Sequence, residues 1–197
     1  MTIEVRRFAE CAPVPWRNGA GATRTLVEGE PCGTGAGPQW RVSLADLTGE
    51  HRFSAFPDID RVTIACGPGK EHLAVGGREC VLRDRDLIRY AGERRATCRV
   101  TAPMRNLNVF TWRQRWEAEV DIVQGELDVS AGPGGHVVVV ALAPAQFIHS
   151  GQTGDLGTFD TLLVGGTDRC RTLGGDRMVS AFRHLPADHA GAPPTSP

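Results

Sequence analysis

Several absences limit what this chain of 197 residues can be. Its formal net charge is only −1, so it has no electrostatic footprint for nucleic acid or for an anionic membrane. Its longest apolar stretch, residues 137–145, is too short to span a bilayer. No apolar segment of the kind that export signals carry follows Arg6 and Arg7. We therefore expect a cytoplasmic protein that binds neither nucleic acid nor membrane.

Metal-binding and catalytic motifs are also missing. The six histidines form no H-x-H pair and the six cysteines form no C-x-x-C pair, so we expect no metal and no cofactor. The cysteines are expected to be reduced and mostly buried. We interpret Glu71-His72 as a surface turn. No G-x-S-x-G motif, phosphate-binding loop or dinucleotide fingerprint is present, so no catalytic residue is assigned.

Glycine and proline are abundant and widely scattered. The 24 glycines and 13 prolines lie between short apolar runs, which predicts an all-β protein with helix well below the globular norm of about a third. One strand-and-hairpin pattern begins at 62–66 and a similar one at 137–141. This repetition predicts two halves, residues 1–110 and 111–187. Residues 188–197 are expected to be a disordered tail.

Two predicted strands alternate polar with apolar side chains. In residues 40–47, Trp40, Val42 and Leu44 share one face, while Arg41 and Ser43 share the other. If this strand belongs to a barrel, the second face is the barrel interior, where a ligand would meet both polar side chains. In the strand at 105–110, the amides Asn106 and Asn108 point the same way and need partners.

Three segments near the start combine an aromatic ring, a guanidinium group and small or polar residues. Residues 16–24 read WRNGAGATR, residues 40–46 read WRVSLAD and residues 53–61 read FSAFPDIDR. Such residues suit a pocket that stacks on a small polar ligand and forms hydrogen bonds with it.

The residues alone leave two interpretations of Arg61 open. A guanidinium beside an apolar strand must be paired, because an unpaired buried charge is very costly. Its partner would be Asp46, Asp58 or Asp60 in a structural role, or a ligand carboxylate in a functional one. Without further information the structural role is favoured. Asn18-Gly19 is similarly either a tight turn alone or a turn that also approaches a ligand.

Together and in this order, the three segments resemble the HutD/Ves family of cupin-like bacterial proteins, which is associated with histidine utilisation. A fourth family segment, Asp-x-Asn, corresponds to residues 106–108, where Asn106 replaces the aspartate. The resemblance implies a cupin-like (RmlC-type) β-barrel in a bicupin arrangement of two cupin-like halves, without the usual cupin metal. It also implies a protein that moderates histidine utilisation by binding a small carboxylate such as urocanate or formylated glutamate.

The predicted ligand site lies in the N-terminal half. It comprises Trp16, Asn18, Arg41, Ser43, Phe53, Arg61 and Asn106. One alternative is a metal-free cupin enzyme of the isomerase or epimerase type, with an acid or base such as Asp46, His51 or His72. Another is a purely structural interaction module, which would fit a closed pocket. A titratable group with a shifted pKa inside the pocket would favour the enzyme. Whether the chain forms a homodimer is left open.

Overall fold

A computed structural model describes residues 2–16, 21–30 and 38–185. These residues form nineteen β-strands and a single-turn 3-10 helix, Phe8–Glu10. Within these ranges, no helix has the length and apolar character needed to cross a bilayer. The prediction of an all-β protein with little helix is confirmed.

The first eleven strands supply most of the N-terminal half. They are β1 (Thr2–Arg6), β2 (Val14–Pro15), β3 (Ala22–Glu28), β4 (Trp40–Leu47), β5 (Glu50–Arg52), β6 (Ile59–Cys66), β7 (Glu71–Val75), β8 (Arg78–Leu82), β9 (Leu87–Ala91), β10 (Ala96–Val100) and β11 (Met104–Trp112).

The remaining eight strands follow in the C-terminal half. They are β12 (Trp116–Val123), β13 (Leu127–Ser130), β14 (His136–Ala141), β15 (Ala145–His149), β16 (Gln152–Leu156), β17 (Thr161–Gly165), β18 (Arg169–Gly174) and β19 (Arg177–His184).

Four antiparallel sheets build two sandwiches. In the N-terminal sandwich, the sheet β2-β3-β4-β11-β6-β9 packs against β5-β10-β7-β8. In the C-terminal sandwich, β1-β17-β14-β19-β12 packs against β13-β18-β15-β16. The order β4-β11-β6-β9 thus has its counterpart in β12-β19-β14-β17. Strand β1 comes from the N-terminal half but joins a sheet of the C-terminal sandwich, because it pairs with β17. The division into two domains stays a prediction.

The alternation in β4 positions its side chains as the sequence predicts. Trp40, Val42 and Leu44 are buried in an apolar cluster that joins the two sandwiches, together with residues of β14 and β19 such as Val138 and Phe182. The intervening side chains therefore face the interior of the N-terminal sandwich. One strand thus contributes side chains both to the core between the two halves and to the interior of the N-terminal sandwich.

The described cysteines are free thiols. Cys66, Cys98 and Cys170 are buried, while Cys11 and Cys80 are half-buried. Cys32, Asn18 and the predicted tail at 188–197 lie outside the described residues.

Candidate functional site

Four neighbouring strands place two arginines and two aromatic rings side by side. Phe110 on β11 lies opposite both Arg41 on β4 and Arg61 on β6, and Arg61 lies opposite Tyr90 on β9. The guanidinium carbons of Arg41 and Arg61 lie 5.1 and 5.0 Å from the centroid of the Phe110 ring. The Arg61 carbon is also 4.6 Å from the Phe53 ring and 5.3 Å from the Tyr90 ring. We call Arg41, Phe53, Arg61, Tyr90 and Phe110 the arginine layer.

Arg61 is a buried cation held by an amide. Only 5% of the residue is exposed, and its Nε and Nη2 donate to Asn108 Oδ1 at 3.2 and 2.8 Å. It forms no ion pair with a carboxylate in the part of the chain that the structure describes. Burial lowers the pKa of Arg61, but a guanidinium stays charged in proteins.

Two of the three carboxylate partners proposed for Arg61 are occupied elsewhere, and none of the three described side chains forms an ion pair with it. Asp46 forms ion pairs with Arg24 and Arg105, and Asp60 accepts from Arg113 Nε at 2.8 Å. The structural interpretation that paired Arg61 with one of these aspartates, or with Asp58, is therefore wrong. Burial lowers the pKa of Arg41 as it does that of Arg61, but Arg41 Nε, unlike Arg61 Nε, is buried without an acceptor among the described residues.

A chain of hydrogen bonds leads from Arg61 deeper into the sandwich. Asn108 Oδ1 also accepts from Thr63 Oγ1 at 3.0 Å, and Asn108 Nδ2 donates to the carbonyl oxygen of Asn106 at 3.1 Å. Asn106 Nδ2 in turn donates to Glu71 Oε1 at 3.0 Å. We call Arg61, Asn108, Asn106 and Glu71 the polar network. The two asparagines share the interior face, as their spacing predicts.

Glu71 ends the polar network and was missed in the sequence. Its placement in a surface turn is wrong, because it lies on β7 and is fully buried. Burial raises the pKa of Glu71, against the opposing effects of hydrogen bonds from Asn106 and Cys98 and of the Arg61 charge. Glu71 Oε2 and Asn106 Oδ1 have no donor within the described ranges. The alternation of Glu71 with two buried apolar residues, Leu73 and Val75, was the available signal.

The other predicted site residues lie at different depths. Ser43 is buried opposite Asn108 on the adjacent strand. Trp16 packs edge to face on His51, with ring centroids 5.1 Å apart, and its Nε1 donates to Thr23 Oγ1 at 2.8 Å. The described contacts bring Arg41, Phe53 and Arg61 together and link Asn106 to them through Asn108, but they do not join Trp16 to Arg61. The site as a whole stays a prediction.

Two of the five side chains of the arginine layer border a cavity. A cavity of about 890 Å³ is lined by Arg61 and Tyr90, with Val75, Arg78 and Ile88 among its other walls. A planar guanidinium beside aromatic faces recognises a carboxylate through paired hydrogen bonds and holds a flat ligand by stacking. The geometry therefore suits a small, planar or extended carboxylate.

The interior of the C-terminal sandwich differs in chemistry. The inward positions of β19 after its first residue are Val179 and Ala181, which pack with Val137 and Val139 of β14. The first residue, Arg177, is fully buried and donates to the carbonyl oxygens of Gly125 and Gly175. Its Nε has no acceptor among the described residues, but the two carbonyls hold its Nη1 and Nη2, so Arg177 ties two turns together and serves the fold.

Metal-binding side chains do not converge in the described ranges, since no three His, Cys, Asp or Glu residues are placed to hold an ion. His51 Nε2 instead accepts from the backbone N–H of Thr48 at 3.1 Å. Function without a metal or cofactor stays a prediction.

The family follows from a sequence match that covers most of the chain. Residues 9–179 match the family model described as HutD. The chain belongs to the HutD family. It is 25% identical over 169 residues to an uncharacterised 21.2 kDa protein of the hutC 3′ region in Pseudomonas putida, covering 84% of this chain and 88% of that protein. It is 30% identical over 129 residues to protein Ves of Citrobacter koseri, covering 64% and 66%.

Solved structures of HutD-like proteins have the same fold. HutD from Pseudomonas fluorescens SBW25 superposes with a TM-score of 0.81 at 25% identity, covering 94% of this chain and all of that one. A conserved protein of unknown function from Pseudomonas aeruginosa PAO1 gives 0.79 at 24%, covering 93% and 99%. A cupin 2 conserved barrel protein from Leptotrichia buccalis gives 0.57 at 8%, covering 91% and 100%. The prediction of a cupin-like fold and of this family is confirmed.

Proposed function

We propose that this HutD-family protein is a cytoplasmic, metal-free binding protein that holds a small carboxylate metabolite in the N-terminal sandwich and thereby moderates histidine utilisation. The ligand class is a small carboxylic acid of the pathway, such as urocanate or N-formylglutamate. Binding, rather than turnover, is the activity.

The observation that carries this proposal is the state of Arg61. A buried cation without a counter-ion is unfavourable, and an anionic ligand removes that cost while gaining a paired hydrogen bond. One amide oxygen accepts from two nitrogens of this guanidinium, and the cavity reaches the same side chain. A carboxylate at this position would meet Tyr90, which lines the same cavity and whose ring centroid lies 5.3 Å from the Arg61 guanidinium carbon.

The link to histidine utilisation rests on relatives. One similar protein is named for its place in the hutC 3′ region, and one similar structure is named HutD. Urocanate and N-formylglutamate are carboxylates of that pathway, and both fit the chemistry of the arginine layer. The regulatory role is inferred from the family.

The test is a thermal-shift screen of pathway carboxylates followed by isothermal titration calorimetry. A specific ligand raises the unfolding midpoint by mass action. A charge-assisted hydrogen bond contributes roughly 1.5–3 kcal/mol net, so Arg61→Ala should weaken binding at least about tenfold. Arg61→Lys should restore only part of the affinity, because an ammonium group lacks the planar fork.

Arg171→Ala is the matched control. Arg171 is an exposed arginine of the C-terminal sandwich that pairs with Glu126 and Asp128, so this variant should bind like the parent protein. If Arg61→Ala folds and binds the same carboxylate as tightly as the parent, Arg61 is structural and the proposal fails.

A second candidate function, a metal-free isomerase or epimerase, is favoured by one observation. Glu71 is a titratable group with a raised pKa inside the sandwich, and Tyr90, whose pKa is also raised by burial, lines the cavity. Of the acids and bases named in the sequence, Asp46 is held in ion pairs and His72 is exposed, while His51 is buried. Incubation of the protein with each carboxylate, followed by proton NMR, would reveal a product if this alternative holds.

A further inference from the structure

We infer that ligand binding at Arg61 is coupled to protonation of Glu71: when a carboxylate occupies the arginine layer, one proton moves from solvent to the Glu71 carboxylate. This inference rests on the proposed function, because it assumes an anionic ligand. It goes further by giving the site a dependence on pH and by assigning a role to a residue that does not touch the ligand.

The geometry provides a direct link between the two groups. Arg61 donates to Asn108, Asn108 donates to the Asn106 carbonyl, and the Asn106 side chain donates to Glu71. Arg61 and Glu71 are therefore the two ionisable ends of one buried network. They are not an ion pair, because two amide side chains separate them. Their interaction acts through the low-dielectric interior, where charges are poorly screened.

The hydrogen-bond count at Glu71 favours a bound proton. The carboxyl group accepts hydrogen bonds from Asn106, at Oε1, and from Cys98, but Oε2 has no donor in the described part of the chain, and neither does the nearby Asn106 Oδ1. No described cation forms an ion pair with Glu71. A fully buried carboxylate without a cation is costly, whereas the neutral acid loses that cost and gains a donor. The charge of Arg61 is the one cationic influence that lowers the pKa of Glu71.

An anionic ligand would cancel that influence. With the Arg61 charge neutralised, the ionised form of Glu71 is disfavoured, and its proton affinity increases. Reciprocity requires that protonated Glu71 in turn favours the bound anion, since the site then carries one negative charge fewer. The atoms balance as one proton leaving solvent and forming an O–H bond on the Glu71 carboxylate.

The other groups that face Glu71 cannot take up this proton, with one exception. Burial raises the pKa of the Cys98 thiol on β10, the Cys80 thiol on β8 and the Tyr90 phenol on β9, so all three are already protonated near neutral pH. The arginines of β4 and β6 are cations throughout. His51 on β5, opposite Cys98, is the exception, and it defines the competing explanation.

The experiment is calorimetry of the full chain with N-formylglutamate, whose carboxylates stay ionised between about pH 5.5 and pH 8. Titrations at several pH values in this range, each in two buffers of different ionisation enthalpy, give the number of protons taken up. We expect uptake that reaches at most one proton and a Kd that rises by up to about tenfold per pH unit. Glu71→Gln should take up none and show a Kd independent of pH.

Two control variants make the outcome decisive. Glu119→Gln, which changes an exposed carboxylate on β12, should keep the uptake of the parent. His51→Gln should also keep it. The inference is overturned if the parent takes up no proton at any pH, if uptake persists in Glu71→Gln, or if it disappears in His51→Gln. If Glu71→Gln does not fold, the parent and His51→Gln still decide, because these two side chains are the candidate acceptors.

Failure of the proposed function would look different. If neither N-formylglutamate nor urocanate gives binding heat in any buffer, or if Arg61→Ala binds as tightly as the parent, the carboxylate site itself is refuted and the coupling falls with it. Binding that depends on Arg61 but releases or absorbs no proton refutes the coupling alone.

Discussion

The guanidinium of Arg61 lies on the side-chain oxygen of Asn108, with Nη2 at 2.8 Å and Nε at 3.2 Å. The same oxygen accepts from Thr63 Oγ1, so three donors converge on one amide. Asn108 is thus a neutral partner that holds a buried cation in place while leaving its charge uncompensated. A carboxylate side chain in place of the Asn108 amide would compensate the charge of Arg61, and an anionic ligand would then gain less by binding there.

Two substitutions at Asn108 should therefore distinguish its contribution to stability from its effect on ligand binding. Asn108→Ala leaves the Arg61 donors unsatisfied, and we expect a loss of about 1–3 kcal/mol in the free energy of unfolding. Asn108→Asp instead supplies an internal counter-ion, although it loses the hydrogen bond to the Asn106 carbonyl oxygen, and it should weaken carboxylate binding at least about tenfold. Urea unfolding and calorimetry measure the two effects. Gln146→Ala, which removes an exposed amide from β15, should change neither. Tight binding by a folded Asn108→Asp protein would contradict this account.

Short-range alternation explains why part of the site could be predicted from the sequence. The period of two in β4 and β11 places Arg41 with Ser43, and Asn106 with Asn108, on one face of each strand. The apolar residues between them mark the opposite face as core. This pattern depends on residues within one strand, so a single sequence contains it.

The remainder depends on pairing between distant strands. Asn108 as the partner of Arg61, and Phe110 beside both arginines, follow from the register of β11 with β4 and β6. Nothing near Arg61 in the sequence specifies that register, whereas nearby aspartates offer a simpler partner. The pairing of β1 with β17 could not be predicted for a similar reason, because the sequence of an edge strand carries little information about which sheet it joins.

Gly21 tests the placement of Trp16. A Cβ at this position would lie 2.7 Å from the Asp46 carbonyl oxygen and 2.9 Å from the Trp16 ring. Gly21→Ala should therefore displace the indole from His51 and lower the free energy of unfolding by about 1–3 kcal/mol. Urea unfolding and tryptophan fluorescence measure both changes. Gly157→Ala is the matched control, because its nearest contact would be an ordinary 3.5 Å. Equal stability of the two variants would show that both the Trp16 ring and the Asp46 backbone adjust freely.

Asp160 joins the start of the chain to the C-terminal sandwich. Its carboxylate accepts from Arg7 Nη1 at 2.6 Å and from the backbone N–H groups of Phe8 and Gly157 at 2.8 and 3.0 Å. Although burial acts in the opposite direction, these hydrogen bonds lower the pKa of Asp160. The stability it contributes is thus present above the ordinary aspartate pKa of about 3.9 and is lost as the pH falls through the lower folded-state value.

Asp160→Asn should consequently destabilise the protein at neutral pH by about 1.5–3 kcal/mol, the usual contribution of hydrogen bonds to a charged group. The difference from the parent should shrink in acid. Urea unfolding at a series of pH values measures it. Asp128→Asn removes an exposed carboxylate paired with Arg171 and should cost little. If Asp160→Asn lowers the free energy of unfolding by the same amount down to the lowest pH, the charge of Asp160 is not what stabilises the fold.

Glu71 should give the opposite dependence of stability on pH. Because its pKa is raised in the folded protein, the folded state binds more protons than the unfolded state between the two pKa values. The stability linked to Glu71 is therefore full below the ordinary glutamate pKa and declines as the pH rises through the folded-state value, by at most about 1.4 kcal/mol per pH unit.

Glu71→Gln removes this proton-binding group, so the stability of the variant relative to the parent should increase as the pH rises. Urea unfolding of both proteins without ligand, from mildly acidic to mildly alkaline pH, measures the difference, and Glu119→Gln should show no such trend. A difference between parent and Glu71→Gln that does not change with pH would mean that Glu71 keeps one protonation state throughout, and its buried carboxyl would then serve the fold alone.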